Sequence, residues 1–94
     1  MSESESMNNR EIVRMFKILG NERRFLILRY LFHNKELAVG QISGLIKLSF
    51  RSTSKHLTVL MNMDLLDSKQ VSSNKFYSIN YSKFPKEFTK FFVG

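Results

Sequence analysis

Five side chains within one short stretch stand out for their chemistry: Arg51, Ser52, Ser54, Lys55 and His56. Together they offer a guanidinium, an ammonium, two hydroxyls and an imidazole, all suited to phosphate oxygens and base edges. A guanidinium can bond O6 and N7 of one guanine together, which makes Arg51 the foremost base reader. Lys55, a point cation, suits phosphate. At about 100° per residue, Thr53, Leu57, Leu60 and Met61 share one helical face and Arg51, Ser52, Lys55 and Asn62 the opposite one. Ser49 is the expected N-cap, and Leu48-Ser49 breaks the chain after the apolar Leu45 and Ile46. The helix before it should span Val39 to Ile46, with Ile42, Leu45 and Ile46 inward. The pattern is a helix, a tight turn and a second helix whose outer face suits a DNA major groove. A solvated amphipathic helix is the bland alternative.

The elements that must hold this pair are short. Ninety-four residues make one small domain, and domains of this size often gain stability by dimerising. Residues 1–7 are acidic and serine-rich and are expected to be a disordered tail, with residues 8–94 forming the domain. The formal charge is +7, and from Ile12 onward fourteen basic residues face five acidic ones. Such a surface attracts polyanions. There is no cysteine, so disulfides and thiolate metal sites are excluded. No apolar run approaches the roughly 20 residues that span a bilayer, and the start lacks a signal-peptide pattern. The expectation is a cytoplasmic protein with no membrane partner.

Periodicity fixes the rest. Asn8 or Asn9 caps a first helix to Leu19, with Ile12, Met15, Phe16 and Leu19 as a stripe widened by Val13 and Ile18. A stripe so wide fits either two packing partners or one well-buried helix. Gly20-Asn21 starts a second helix, Glu22 to His33, apolar nearly all round and hence central. Glu36 to Ala38 is extended. Beyond the fourth helix the period turns to alternation: a strand over Leu65–Val71, a turn at Ser72-Ser73-Asn74 with Asn74 left-handed, and a strand over Lys75–Asn80. This hairpin reads as a wing, with Lys69, Ser73, Asn74 and Lys75 offered to the sugar-phosphate backbone or minor groove. Phe84, Phe88, Phe91 and Phe92 share one face of a terminal helix of roughly ten residues. They dock across a two-fold axis, within the chain on the first helix, or at a membrane interface, in that order of preference. The expected dimer interface is Ile12, Val13, Phe16, Phe84, Phe88, Phe91 and Phe92. The fold class is mainly α with a small β-hairpin (α+β), a winged helix-turn-helix.

Local sequence agrees with a known family. Leu19-Gly20-Asn21-Glu22-Arg23-Arg24-Phe25-Leu26-Ile27-Leu28 resembles the "LadptRlrIL" opening of ArsR-type repressors, without its proline. Leu48-Ser49, then Ser54-Lys55-His56-Leu57 and Leu60, resembles the family's "LS…S-x-HL-x-x-L" recognition helix. Asp64-Leu65-Leu66 stands where "GLV" is usual, and Phe76-Tyr77-Ser78-Ile79 resembles the wing strand. The resemblance covers about Ile12 to Tyr81. It implies a homodimer placing two recognition helices in successive major grooves of a pseudo-palindromic site. Ser54 and His56 match the motif directly. For His56, a phosphate or cap-like role and a partly buried structural role stand level. The family's metal signature resembles E-L-C-V-C-D-L. Here the positions read Glu36-Leu37-Ala38-Val39-Gly40-Gln41-Ile42, and neither Ala38 nor Gly40 ligates. With two histidines and only Glu87 as an acid after Tyr81, no zinc-like ligand set is expected, and no cofactor.

The expected function is therefore sequence-specific binding of double-stranded DNA by a homodimeric transcriptional regulator, a repressor by the resemblance, with its effector open. The alternative is a winged-helix interaction module working through its Phe-rich C-terminus. Stacking of single strands on Phe76 and Tyr77 is better explained as wing packing. No nucleophile with base and orienter, phosphate loop or carboxylate pair suggests an enzyme.

Overall fold

A computed structural model describes residues 7–94. The acidic tail lies outside the described residues apart from Met7, which is half-buried against the core. The element order is α1 (Asn9–Leu19), α2 (Glu22–His33), β1 (Leu37–Ala38), α3 (Val39–Ile46), α4 (Phe50–Asn62), β2 (Leu66–Val71), β3 (Asn74–Ile79) and α5 (Lys86–Thr89). Helices α1 to α4 form where the spacing predicts, and short polar residues set the starts of α1, α2 and α4. Asn8 Oδ1 accepts from the Glu11 amide at 2.8 Å while Glu11 Oε1 accepts from the Asn8 amide at 2.9 Å, a reciprocal cap. Asn21 caps α2 through the Arg24 amide at 3.0 Å. Arg24 then folds its guanidinium back onto the end of α1, donating to the Ile18 and Lys17 carbonyls at 3.0 and 3.2 Å. These carbonyls lie in the last turn, where helical donors run out, and the side chain supplements the Asn21 amide that reaches Ile18 at 3.4 Å, so Arg24 helps fix the α1–α2 corner.

The centre of the core is α2. Ile27, Leu28 and Leu31 are fully buried, joined by Ile42 of α3 and Leu57 and Leu60 of α4. The strands form an antiparallel sheet in the order β1-β3-β2, which closes the core through Leu66, Tyr77 and Ile79. Its register pairs Leu37 with Tyr77, Leu66 with Ile79 and Val71 with Asn74. The wing connection is thus the two residues Ser72-Ser73. Ser72, with φ 55°, takes the left-handed conformation expected of Asn74, which instead starts β3. A two-residue hairpin loop places its positive φ within the loop, and Asn74 falls outside it.

The C-terminus departs furthest from expectation. Instead of ten helical residues there is one turn, Lys86–Thr89. Phe84 precedes Pro85, and the proline ring disfavours helical backbone at that position. Beyond it, the amides of Phe91 and Phe92 reach the carbonyls of Phe88 and Thr89, three residues back, at 3.2 and 3.0 Å. This tight coil still turns Phe84, Phe88 and Phe92 to one side, and all three are buried within the chain. Phe84 and Phe92 pack on α2, whereas Phe88 meets Phe16 of α1. Phe32 stacks on Phe92 at 5.3 Å between ring centroids and meets Phe84 edge-on at 5.0 Å, while Phe25 lies 5.1 Å from Phe92. Only Phe91 of the four stays exposed, so the preference for docking these rings across a two-fold axis is corrected for the other three. One α3 expectation also changes: Leu45 is exposed, not inward.

Candidate nucleic-acid interface

The amino-terminal half of α4 carries the site. Its start is set by Ser49, whose hydroxyl accepts from the Ser52 amide at 3.1 Å. The preceding turn is closed by Lys47 in the left-handed region (φ 55°) and by the Leu48 amide on the Ser43 carbonyl at 3.0 Å. Thr53, Leu57 and Leu60 are fully buried, which anchors the helix against rotation about its axis. Arg51 and Lys55 consequently stand exposed on the far side, and Ser52 and Ser54 are half-buried beside them. Neither cation has a carboxylate partner among the described residues. Both are available to an anion from outside the chain.

His56 is half-buried on the flank that faces α2. Burial, then the positive charges of Arg24 and Arg23, holds its imidazole below the ordinary value of 6.5. The ring is partly enclosed, and this setting favours its neutral form.

The wing is less free. Ser73, Asn74 and Lys75 are exposed at or beside its tip. The register puts Lys75 on the core side of the sheet, in line with Tyr77 and Ile79, and Lys69 on the outer side with Phe76. The two lysines therefore point to opposite faces and do not form one cluster around the tip. Lys69 Nζ lies 3.1 Å from Glu36 Oε1, an ion pair that spans the sheet. Lys75 Nζ sits 5.6 Å from the centroid of the Tyr77 ring. Sequence spacing carries no signal for the Glu36 contact, which depends on β1 joining the sheet beside β3.

One arrangement was not predicted. A groove runs between the wing tip and the starts of α3 and α4, lined by Val39, Gly40, Phe50, Ser73, Asn74 and Lys75. It brings the two elements expected to touch DNA to one rim. Phe50 is 62 % exposed there. Helical periodicity hides it, because Phe50 lies seven residues before Leu57 and so on nearly the same side of the helix as the core.

A second surface lies apart from this one. Val13 and Phe16 of α1 are 51 % and 60 % exposed, and Ile12 is half-buried between them and the core. Phe16 meets Phe88 edge-on at 5.6 Å, and Phe88 meets Phe91 at 6.0 Å. An apolar ridge thus joins α1 to the C-terminal coil.

Comparison with known proteins agrees with this architecture. The model of the arsR family of bacterial regulatory proteins matches residues 21–68, from the α2 cap into the wing. This chain belongs to the ArsR family. It is accordingly a DNA-binding transcriptional regulator and not an enzyme. The transcriptional activator HlyU of Vibrio cholerae is 34% identical over 73 residues, covering 78% of this chain and 67% of HlyU. A solved structure of HlyU superposes with a TM-score of 0.77 at 28% identity, over 96% of this chain and 92% of that one. The cadmium resistance regulator CadC of Listeria innocua is 37% identical over 68 residues; the match covers 72% of this chain but only 57% of CadC. The homodimeric winged helix-turn-helix domain of Mb0332 from Mycobacterium bovis, at 23% identity, shares the fold, with a TM-score of 0.75 over 96% of this chain and 82% of its own.

Ala38 and Gly40, which stand where the resemblance places the family's thiolates, line the groove. No three His, Cys, Asp or Glu gather among the described residues. No helix among them is long and apolar enough to cross a membrane.

Proposed function

We propose that this regulator works as a homodimer that reads a specific pseudo-palindromic site in double-stranded DNA. Two α4 helices enter successive major grooves, one on each half-site. The observation that carries this reading is the exposed Arg51 and Lys55, unpaired among the described residues, on a capped, core-anchored helix whose start shares a groove with the wing tip. Arg51 reads a base, Lys55 and the half-buried Ser52 and Ser54 engage phosphates, and His56 supports them from the flank. Ser73, Asn74 and Lys75 add backbone contacts from the wing, with Lys69 contributing less because Glu36 holds it. Pairing uses Ile12, Val13, Phe16 and Phe91, the part of the expected interface that the fold leaves at the surface. Mb0332, of like fold, is described as homodimeric.

Regulation by occlusion, which is repression, needs nothing beyond these two surfaces. Any effector would have to act through something other than cysteine-bound metal. Selection from random duplex pools, with sedimentation of the free protein, tests the reading. Enrichment of an inverted repeat with half-sites about one helical turn apart, and a dimer in sedimentation, are the expected results. No DNA binding even at low salt would move attention to the Phe91 surface and a protein partner.

A further inference from the structure

We propose that Phe50 reads the C5 methyl group of a thymine, adding an apolar specificity contact beside the polar ones. The inference rests on the DNA-reading assignment of α4. Phe50 is the first residue of α4, between the cap Ser49 and Arg51, and the opening residues of a recognition helix are those that reach base edges. Its ring is 62 % exposed although it lies only about 20° from the direction of Leu57. The core simply ends one turn earlier, at Thr53, and the ring projects past it over the groove shared with Gly40 and the wing tip. A Cβ at Gly40 would meet nothing within 4 Å, so the groove is open above Gly40.

What fills that space is decided by the surroundings. Arg51 and Lys75, both exposed, stand near the ring along the chain and across the groove. An apolar protein partner gains nothing from two cations there, whereas a duplex brings phosphates to them. In a major groove the apolar group available to a phenyl ring is the thymine methyl, and phenylalanine is among the residues that contact it.

The test replaces thymine by deoxyuridine, one position at a time, in a duplex selected from random pools. This removes a methyl and leaves the hydrogen-bonding edge intact. With the native chain, one position in each half-site should weaken binding by about fourfold per methyl removed. The Phe50→Ala chain should bind the thymine and uracil duplexes equally, with an unchanged melting curve. A selected site with no thymine in its half-sites, a flat scan with the native chain, or a penalty that survives in Phe50→Ala each overturns the assignment. Failure of the pools to enrich any sequence would instead bring down the DNA-reading assignment itself, and this one with it.

Discussion

The two exposed surfaces of this chain are built by opposite means. On α4 the core side is fully buried, the cap is made by a side chain, and the cations have no carboxylate partner among the described residues. On the ridge formed by α1 and the C-terminal coil, phenylalanines are left exposed beside others that are buried. The first surface offers charge on a rigid frame, which suits a polyanion whose groups must be met at fixed positions. The second offers apolar area, which suits a partner of like shape, such as a second copy. The division runs through the terminal phenylalanines themselves. Phe84, Phe88 and Phe92 belong to the fold, while Phe91, with Phe16, belongs to the surface.

Substitutions should separate the two roles. Phe92 is fully buried against Phe25 and Phe32. Phe92→Ala should lower stability by about 3–5 kcal/mol in denaturant unfolding, the largest single effect expected. A loss below about 1 kcal/mol would mean that the C-terminal coil is not part of the core. Phe16→Glu should leave the fold intact, because the ring is mostly exposed, yet weaken pairing by roughly 2 kcal/mol or more in sedimentation. An unchanged dimer would remove α1 from the pairing surface.

Smaller effects sharpen the picture of α4. The Thr53 hydroxyl is fully buried without a partner among the described residues. Thr53→Val keeps the shape and removes that group, and should raise stability by about 1 kcal/mol without altering DNA affinity. Destabilisation would show that the hydroxyl is in fact bonded. The smallest effect is pH dependence. His56 has a folded pKa lowered by burial, Arg24 and Arg23, so the folded state binds this proton less readily than the unfolded chain. Its contribution is present above about pH 6.5 and is lost as pH falls through the lowered value. Melting temperature should therefore decline on the acid side of that window in the native chain and decline less in His56→Gln.

Much of the fold was legible because it is local. The Asn8, Asn21 and Ser49 caps, the bounds of α2 and α3, and the buried side of α4 all follow from residue type and a 3.6-residue period. What periodicity lacks is knowledge of what lies opposite. It assigned Leu45 and the terminal phenylalanines a face but not a partner, and so misjudged which of them would be covered. The wing shows the same limit. Alternation located both strands, but the two-residue turn set the register, and the register sent Lys69 and Lys75 to opposite sides. Asp64 was legible only in outline. It stands where the related "GLV" pattern has glycine, and the structure gives it φ 60°, the left-handed backbone that favours glycine and that aspartate tolerates. The exposed ring of Phe50 and the Glu36–Lys69 pair needed three dimensions.

Site choice by this regulator turns on Arg51 as a base reader. Fluorescence anisotropy should compare the native chain with Arg51→Ala and Lys55→Ala on the selected duplex and on a scrambled one, across a range of salt. The expected result is a loss of about 1–3 kcal/mol for Arg51→Ala on the selected duplex with little change on the scrambled one. Lys55→Ala should weaken both alike and reduce the salt slope by about one. An equal loss on both duplexes for Arg51→Ala would contradict the account, since Arg51 would then be binding phosphate and some other group would have to choose the site.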